Sequence, residues 1–358
     1  MILEILPRLG TCERDIFIDI VPPPPLPLVT DILSKISSSQ LSPTHQQRQI
    51  SPVQRHLQCY HDIMDNKSDA RVNGWPMLSS PFPTLFICLF YAYFAKTLGP
   101  RLMENRKPFQ LRQILIVYNA IQTAFSAWIF YEYMMSGWGG SYSLKCQPVD
   151  YSNSPMALRM ARTCWWYYIS KFTEFFDTMF FILRKKNQQV STLHVIHHGC
   201  MPMSVWMGMK FAPGGHSTFF ALLNTFVHIV MYFYYMVSAM GPQYQKYIWW
   251  KKYLTSFQML QFVCIFIHQF QLLFVECNYP KSFMIWIGLH GVMFLFLFSD
   301  FYKSKYTSDG KRKPANDGAC MPVEGASYSK CSSNEHNVVY YSNGIVNGFK
   351  TTEAAKTK

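Results

Sequence analysis

The sequence predicts an all-α, polytopic membrane protein with seven transmembrane helices, and three observations carry that prediction. Apolar residues gather into long runs, with the charges pushed to their flanks. Lysine and arginine fall unequally on alternate connections between those runs. Ionisable residues inside the runs are few and sit together at helical spacing. With 49% hydrophobic and 17% aromatic residues among 358, composition alone would suit a large water-soluble core equally well; the clustering decides. The formal net charge of +13 then reads as loops and a tail facing an anionic membrane surface. No basic stripe or nucleic-acid motif accompanies it, which argues against a nucleic-acid partner.

Taken in order, residues 1–70 form an N-terminal extension expected to be mostly disordered, because the Pro22-Pro23-Pro24-Pro25 run and a polar Gln/His/Arg patch leave no periodic apolar face. Glu4 and Pro7 interrupt its one early apolar run, so it makes a poor signal peptide. The membrane domain is expected over residues 71–306, with spans near 82–98, 111–135, 165–183, 193–211, 217–240, 253–275 and 283–302. About 20 residues cover the hydrocarbon, so the first and fourth are short. Residues 307–358 turn Gly/Ser/Asn-rich and are expected to be a disordered cytosolic tail.

The lysine and arginine bias sets the orientation. Arg101, Arg106, Lys107, Arg184, Lys185, Lys186, Lys246, Lys251, Lys252 and the basic tail share one side, so the C-terminus is expected in the cytosol and the N-terminus in the lumen. Asn66-Lys67-Ser68 is then a lumenal glycosylation sequon. The ten cysteines show no CxxC pair. Cys146 and Cys277 both fall in lumenal connections, an oxidising setting, and are expected to form a disulfide, with two free thiols as the alternative.

Chemistry concentrates in His194-Val195-Ile196-His197-His198, whose spacing puts three imidazoles on one helical face just inside the cytosolic surface. In the third span Lys171, Glu174 and Asp177 recur every three residues. Each charge near the bilayer centre costs roughly 2.5–3.5 kcal/mol on insertion scales, so the three must face a polar interior, either as an ion-pair ladder or as a cavity wall. Asn224 and His228 lie one turn apart in the fifth span. Thr255, Gln258 and Gln261 form a polar stripe in the sixth, readable as helix–helix glue or as site residues. His216, His268 and His290 stand alone and read as structural.

Three function classes compete. A di-iron membrane desaturase or hydroxylase needs several histidine clusters, and this chain has a single group of three. A seven-span receptor or transporter would also hold ionisable residues in its spans, but no inverted repeat or pair of broken helices is evident. Neutral imidazoles without metal offer nucleophilic and acid/base chemistry, which suits acyl transfer from coenzyme A thioesters.

Lys171-x-x-Glu174-x-x-Asp177-Thr178, the histidine box, Asn224-x-x-x-His228-x-x-Met231-Tyr232-x-Tyr234-Tyr235 and Thr255-x-x-Gln258-x-x-Gln261 occur in the order seen in the very-long-chain fatty acid elongases, the ELOVL family, which this chain resembles over about residues 60–306. It departs at Thr192, where an aromatic residue is usual, and at Met203, where tryptophan is common. The resemblance implies an endoplasmic reticulum membrane enzyme in which six of seven helices surround a substrate tunnel closed at the lumenal end. It implies condensation of a long-chain acyl-CoA with malonyl-CoA, giving a 3-ketoacyl-CoA two carbons longer, carbon dioxide and coenzyme A. His197 would take the acyl group with His228 beside it, and His194 and His198 would orient the site. Lys171, Glu174, Asp177, Asn224, Tyr232, Thr255, Gln258 and Gln261 would position the thioesters, with Lys185, Lys186, Lys251 and Lys252 near the coenzyme A phosphates. No tightly bound cofactor and no metal are implied. Expected partners are membrane lipid and the ketoacyl-CoA reductase, dehydratase and enoyl reductase of the same cycle, and a homodimer is left open.

Overall fold

The computed structural model describes residues 51–307, 321–322, 328–331 and 338–341; expectations for residues 1–50 and for the rest of the tail lie outside the described residues. Helix α1 (Pro52–His61) opens on a capping box, Ser51 accepting from the Gln54 amide while the Gln54 side chain accepts from the Ser51 amide. It runs into a wider turn at Asp62–Asn66. Residues 52–70, expected to lack fixed structure, instead cap one end of the bundle. Met64, Val72 and Leu78 join the main core. Asp69 donates its amide to the Lys210 carbonyl, and Arg71 holds both Asp69 and the Ser152 carbonyl. Such a cap buries isolated apolar side chains rather than a repeating face, so a search for helical period does not register it.

The body that follows is helical: α2 (Phe82–Met103), α3 (Arg112–Trp138), α4 (Pro155–Thr173), α5 (Phe175–Leu183), α6 (Thr192–Phe211), α7 (Thr218–Ala239), α8 (Lys251–Leu273) and α9 (Lys281–Tyr302). Among the described residues α2, α3, α7, α8 and α9 are long and apolar enough to cross a membrane. The other two expected spans fall short of that measure, because α4 and α6 carry ionisable residues and α5 is only 9 residues long. The third span also begins at Pro155, ten residues before its expected start, with Ser154 capping the Ala157 amide.

Six elements close a ring: α3 packs on α7, α7 on α8, α8 on α9, α9 on α6, α6 on α4, and α4 back on α3. Helix α2 lies outside that ring against α6. At one end the connections are tied together. Cys146 and Cys277 are disulfide-bonded, their Cα atoms 5.6 Å apart, joining the α3–α4 connection to the α8–α9 connection. Gly215, at φ +69°, lies against the same strap: a Cβ there would meet the Val149 nitrogen at 2.9 Å, and the next residue donates from its amide to the Gln147 carbonyl at 2.7 Å. Cys88 and Cys164 are buried, small and apolar in use.

The tail, expected to carry no fold, contains a small antiparallel sheet, β1 (Met321–Pro322), β2 (Tyr328–Cys331) and β3 (Val338–Tyr341), with Tyr328 opposite Tyr341 and Lys330 opposite Val339. Four consecutive β-branched and aromatic residues in β3 favour a strand locally, a signal diluted by the Gly/Ser-rich sequence around it.

Candidate active site

The site begins where a helix stops. The Ser170 hydroxyl donates to the Tyr167 carbonyl and the Thr173 hydroxyl to the Ser170 carbonyl, each at 2.7 Å. The Ser170 carbonyl keeps its ladder bond from the Glu174 amide at 3.1 Å and takes the Thr173 hydroxyl as a second donor, and α4 ends at Glu174 before α5 resumes. Expected to lie on one helical face with Lys171 and Glu174, Asp177 is turned away by that break. It accepts from the Tyr232 hydroxyl of α7 at 2.8 Å, and Tyr118 of α3 packs edge-on against the same tyrosine ring.

Lys171 and Glu174 form a pair buried to 1% and 2% exposure, Nζ to Oε1 2.5 Å. Two ions so deep need further partners to repay their desolvation. Glu174 Oε1 also lies 3.3 Å from His228 Nδ1, and Oε2 lies 3.7 Å from His198 Nδ1. Lys171 adds a bond to Asn224 Oδ1 at 3.1 Å and sits 4.5 Å from the centre of the Tyr167 ring. The Tyr167 hydroxyl donates to the same Asn224 oxygen at 2.9 Å.

That double acceptance fixes the amide. With its oxygen filled by two donors, Asn224 turns Nδ2 to His228 Nε2 at 3.3 Å. His228 Nε2 is therefore the bare nitrogen, and its Nδ1–H faces Glu174.

The histidine box occupies the first turns of α6, which Ser191 caps through the His194 amide. Ring centres are 4.4 Å apart for His194 and His198 and 5.1 Å for His197 and His198, so the three converge. Their settings differ. His198 faces Glu174, and His194 Nε2 is 2.8 Å from the Thr178 hydroxyl. His197 packs on Phe294 of α9 at 4.9 Å, and no hydrogen bond among the described residues holds its ring nitrogens. Of the box, His197 alone lines the interior cavity.

This cavity is lined by residues of all six ring elements, with His197 and Asn224 as its polar groups at the box end. From His197 to Met209 on α6 its wall extends about 18 Å at 1.5 Å rise per residue, and Val205, Ala221, Phe262 and Ile265 keep it apolar. Such a shape receives a long apolar chain with its reactive end at His197.

Other expected site residues are placed elsewhere. Gln258 donates to Met231 Sδ at 3.3 Å, Gln261 is buried with Oε1 unpartnered, and Thr255 is buried near the start of α8; no hydrogen bond from these three reaches the histidines among the described residues. The Lys185 ammonium caps the Glu104 carbonyl at 2.9 Å, Lys252 lies over the Tyr302 ring, and Lys186 and Lys251 are exposed. His216 and His268, expected to be isolated, stack at 3.9 Å and 11°. His290 lines the cavity and packs on Trp286 at 4.5 Å. Sequence reasoning missed Tyr91 and Tyr167, each lying in an aromatic run that reads as packing, and gave Thr178 no role. Among the described residues no group of three or more His, Cys, Asp or Glu side chains is arranged to hold a metal ion.

The ELO family (GNS1/SUR4 family) is matched over residues 76–314. Similar proteins include a very long chain fatty acid elongase of Aedes aegypti, 66% identical over 264 residues and covering 74% of each chain. Very long chain fatty acid elongase 7 of Drosophila melanogaster is 60% identical over 296 residues, 82% of this chain and 88% of its own length. Very long chain fatty acid elongase 1 of Homo sapiens is 49% identical over 257 residues, 71% of this chain and 91% of its own.

Proposed function

The chain belongs to the ELO (GNS1/SUR4) family, and from that premise we propose that it is the condensing enzyme of fatty acid elongation, an acyltransferase that joins a long-chain acyl-CoA to malonyl-CoA. The relatives named as elongases favour this over a di-iron desaturase or a transporter. The observation that carries the mechanism is the placement of His197, a free imidazole on the wall of an apolar cavity, backed by the Glu174-centred network.

The acyl tail occupies the cavity, and its thioester carbonyl meets the His197 ring. The imidazole attacks the carbonyl and the carbon–sulfur bond breaks. The thiolate leaves as coenzyme A, taking the proton that the ring gives up. Malonyl-CoA then loses carbon dioxide and the carbanion attacks the acyl-imidazole carbonyl; the carbon–nitrogen bond breaks, the departing imidazolide takes up a proton from solvent to restore His197, and a 3-ketoacyl-CoA two carbons longer is released. His228, its Nδ1–H directed at Glu174 and its Nε2 held by Asn224, is oriented as the second imidazole of the pair. His198 faces the unpaired Glu174 Oε2 and completes the polar wall.

The wider setting is part of the same reading. Seven spans in an endoplasmic reticulum membrane, with the N-terminus lumenal, put Asn66 where glycosylation occurs and the Cys146–Cys277 bond in an oxidising compartment. Coenzyme A approaches from the side of Lys186 and Lys251. The coenzyme A thioesters are the only cofactor-like molecules required, and the product passes to a reductase, a dehydratase and an enoyl reductase.

Microsomes expressing the chain, given labelled malonyl-CoA and a long-chain acyl-CoA, are expected to make a 3-ketoacyl product that disappears in His197→Ala. Purified enzyme given acyl-CoA alone is expected to yield a peptide acylated at His197 by mass spectrometry; full release of coenzyme A with no acylated histidine would mean direct condensation without a covalent stage.

A further inference from the structure

Helix α2 stands outside the ring, yet one of its side chains reaches the site. The Tyr91 hydroxyl lies 2.8 Å from Thr178 Oγ1, which lies 2.8 Å from His194 Nε2, a three-member chain running from α2 through α5 to α6. Tyr91 is 4% exposed and Thr178 0%, so no solvent completes the bonding of either hydroxyl. The Tyr91 ring is held by stacking on Phe175 at 4.2 Å and 16°, and its edge meets the α6 backbone at Gly199.

We propose that Tyr91 and Thr178 are positioning residues that hold His194 as the neutral Nδ1–H tautomer, so that it meets the substrate as a hydrogen-bond donor and not as a base. Proton counting carries the assignment. The chain holds two hydroxyl protons and one ring nitrogen. If His194 Nε2 carried a proton and donated to Thr178, the Thr178 hydroxyl would either donate to Tyr91 or accept from Tyr91 as well. One hydroxyl proton, phenolic or threonine, would then be buried with no acceptor among the described residues, an outcome native interiors avoid. In the reverse order every donor is used: Tyr91 donates to Thr178, Thr178 donates to His194 Nε2, and the ring proton stands on Nδ1. A protonated imidazolium is disfavoured by the same count, since it too would donate from Nε2.

With Nε2 occupied, Nδ1–H is what His194 has left to offer. Its ring is 4.4 Å from that of His198, whose ring is 5.1 Å from that of His197 on the cavity wall, so the donor belongs to the same imidazole cluster. A neutral imidazole fixed as a donor stabilises negative charge growing on a carbonyl oxygen without exchanging a proton. What His194 donates to rests on the elongase reading; which nitrogen carries its proton does not.

The test uses the full chain in lipid nanodiscs with 15N-labelled histidine, the His194 signals being identified by their loss in His194→Gln. Wild type is expected to show one His194 population, protonated at Nδ1 and bare at Nε2. Tyr91→Phe leaves Thr178 with Nε2 as its acceptor, so the single state is expected to persist with a shifted Nε2 signal as Thr178 loses the donor that polarises it. Thr178→Val removes the group that binds Nε2 and is expected to give both tautomers, and Thr178→Ser to restore the single state. In the elongation assay Thr178→Val should lower kcat about 10-fold with KM for acyl-CoA little changed, Tyr91→Phe should lower it less, and Thr178→Ser should recover the wild-type value. A wild-type His194 protonated at Nε2, or a single tautomer unchanged in Thr178→Val, overturns the proposal. A chain that makes no 3-ketoacyl product while the tautomers behave as expected overturns the elongase reading and supports the positioning role.

Discussion

The two ends of the helical ring each bury histidines, and they use them differently. At the box end His198 and His228 face Glu174, with Lys171 and Asn224 completing the bonds, and His194 and His197 cluster beside His198. At the strapped end His216 and His268 stack face to face, Phe219 covers His268 at 4.0 Å, and His216 Nε2 is satisfied by the His268 carbonyl. Some 30 Å of α6 separates the two ends at 1.5 Å per residue. A charged partner and a cavity turn a buried imidazole toward chemistry, whereas an aromatic stack and a backbone carbonyl make it a flat, hydrogen-bonded packing piece.

The largest expected effect comes from exchanging rings between these roles. His228→Phe keeps the volume and removes the site's second imidazole, and product formation is expected to fall about 100-fold or more. His268→Phe extends an existing aromatic stack and should leave elongation within about twofold. Equal losses in the two variants, measured with labelled malonyl-CoA, would erase the distinction.

The stability of each end sharpens it further. Lys171→Met strands a buried carboxylate, at a cost of roughly 3–5 kcal/mol, and Lys171→Met with Glu174→Leu should regain part of that by removing both charges. Denaturation in detergent reads both. At the strapped end Cys146→Ser is expected to cost a smaller amount, about 2–4 kcal/mol, with activity retained, and to diminish the gel-mobility shift that reduction produces in the wild type, Cys59 being disulfide-bonded as well. A Cys146→Ser variant that lost activity while remaining folded would tie the strap to catalysis.

Legibility in the sequence follows the range of each interaction. The box and the Asn224/His228 pair were readable because three- and four-residue spacings act within one helix. The Lys171–Glu174 pair was readable for the same reason, but Asp177 was not: the helix is interrupted at Glu174 between α4 and α5, and spacing alone does not reveal that interruption. The Thr255, Gln258 and Gln261 stripe kept its helical register while Gln258 turned to Met231 of α7, a choice made between helices. Tyr91 carried no signal at all, since a tyrosine in an apolar run looks like any other packing residue until its hydroxyl finds Thr178, 87 positions away.

By itself the sequence determined the membrane class, the order of the helices and the chemical kinds of residue in the site, because hydropathy and short spacings are properties of the chain alone. Only the tertiary structure decided which histidine meets the cavity, which nitrogen of His228 is bare, and that a helix outside the ring reaches the site, because these depend on hydrogen-bond partners brought together from distant helices. A buried donor must find an acceptor wherever the fold supplies one, and that pairing has no trace in local sequence.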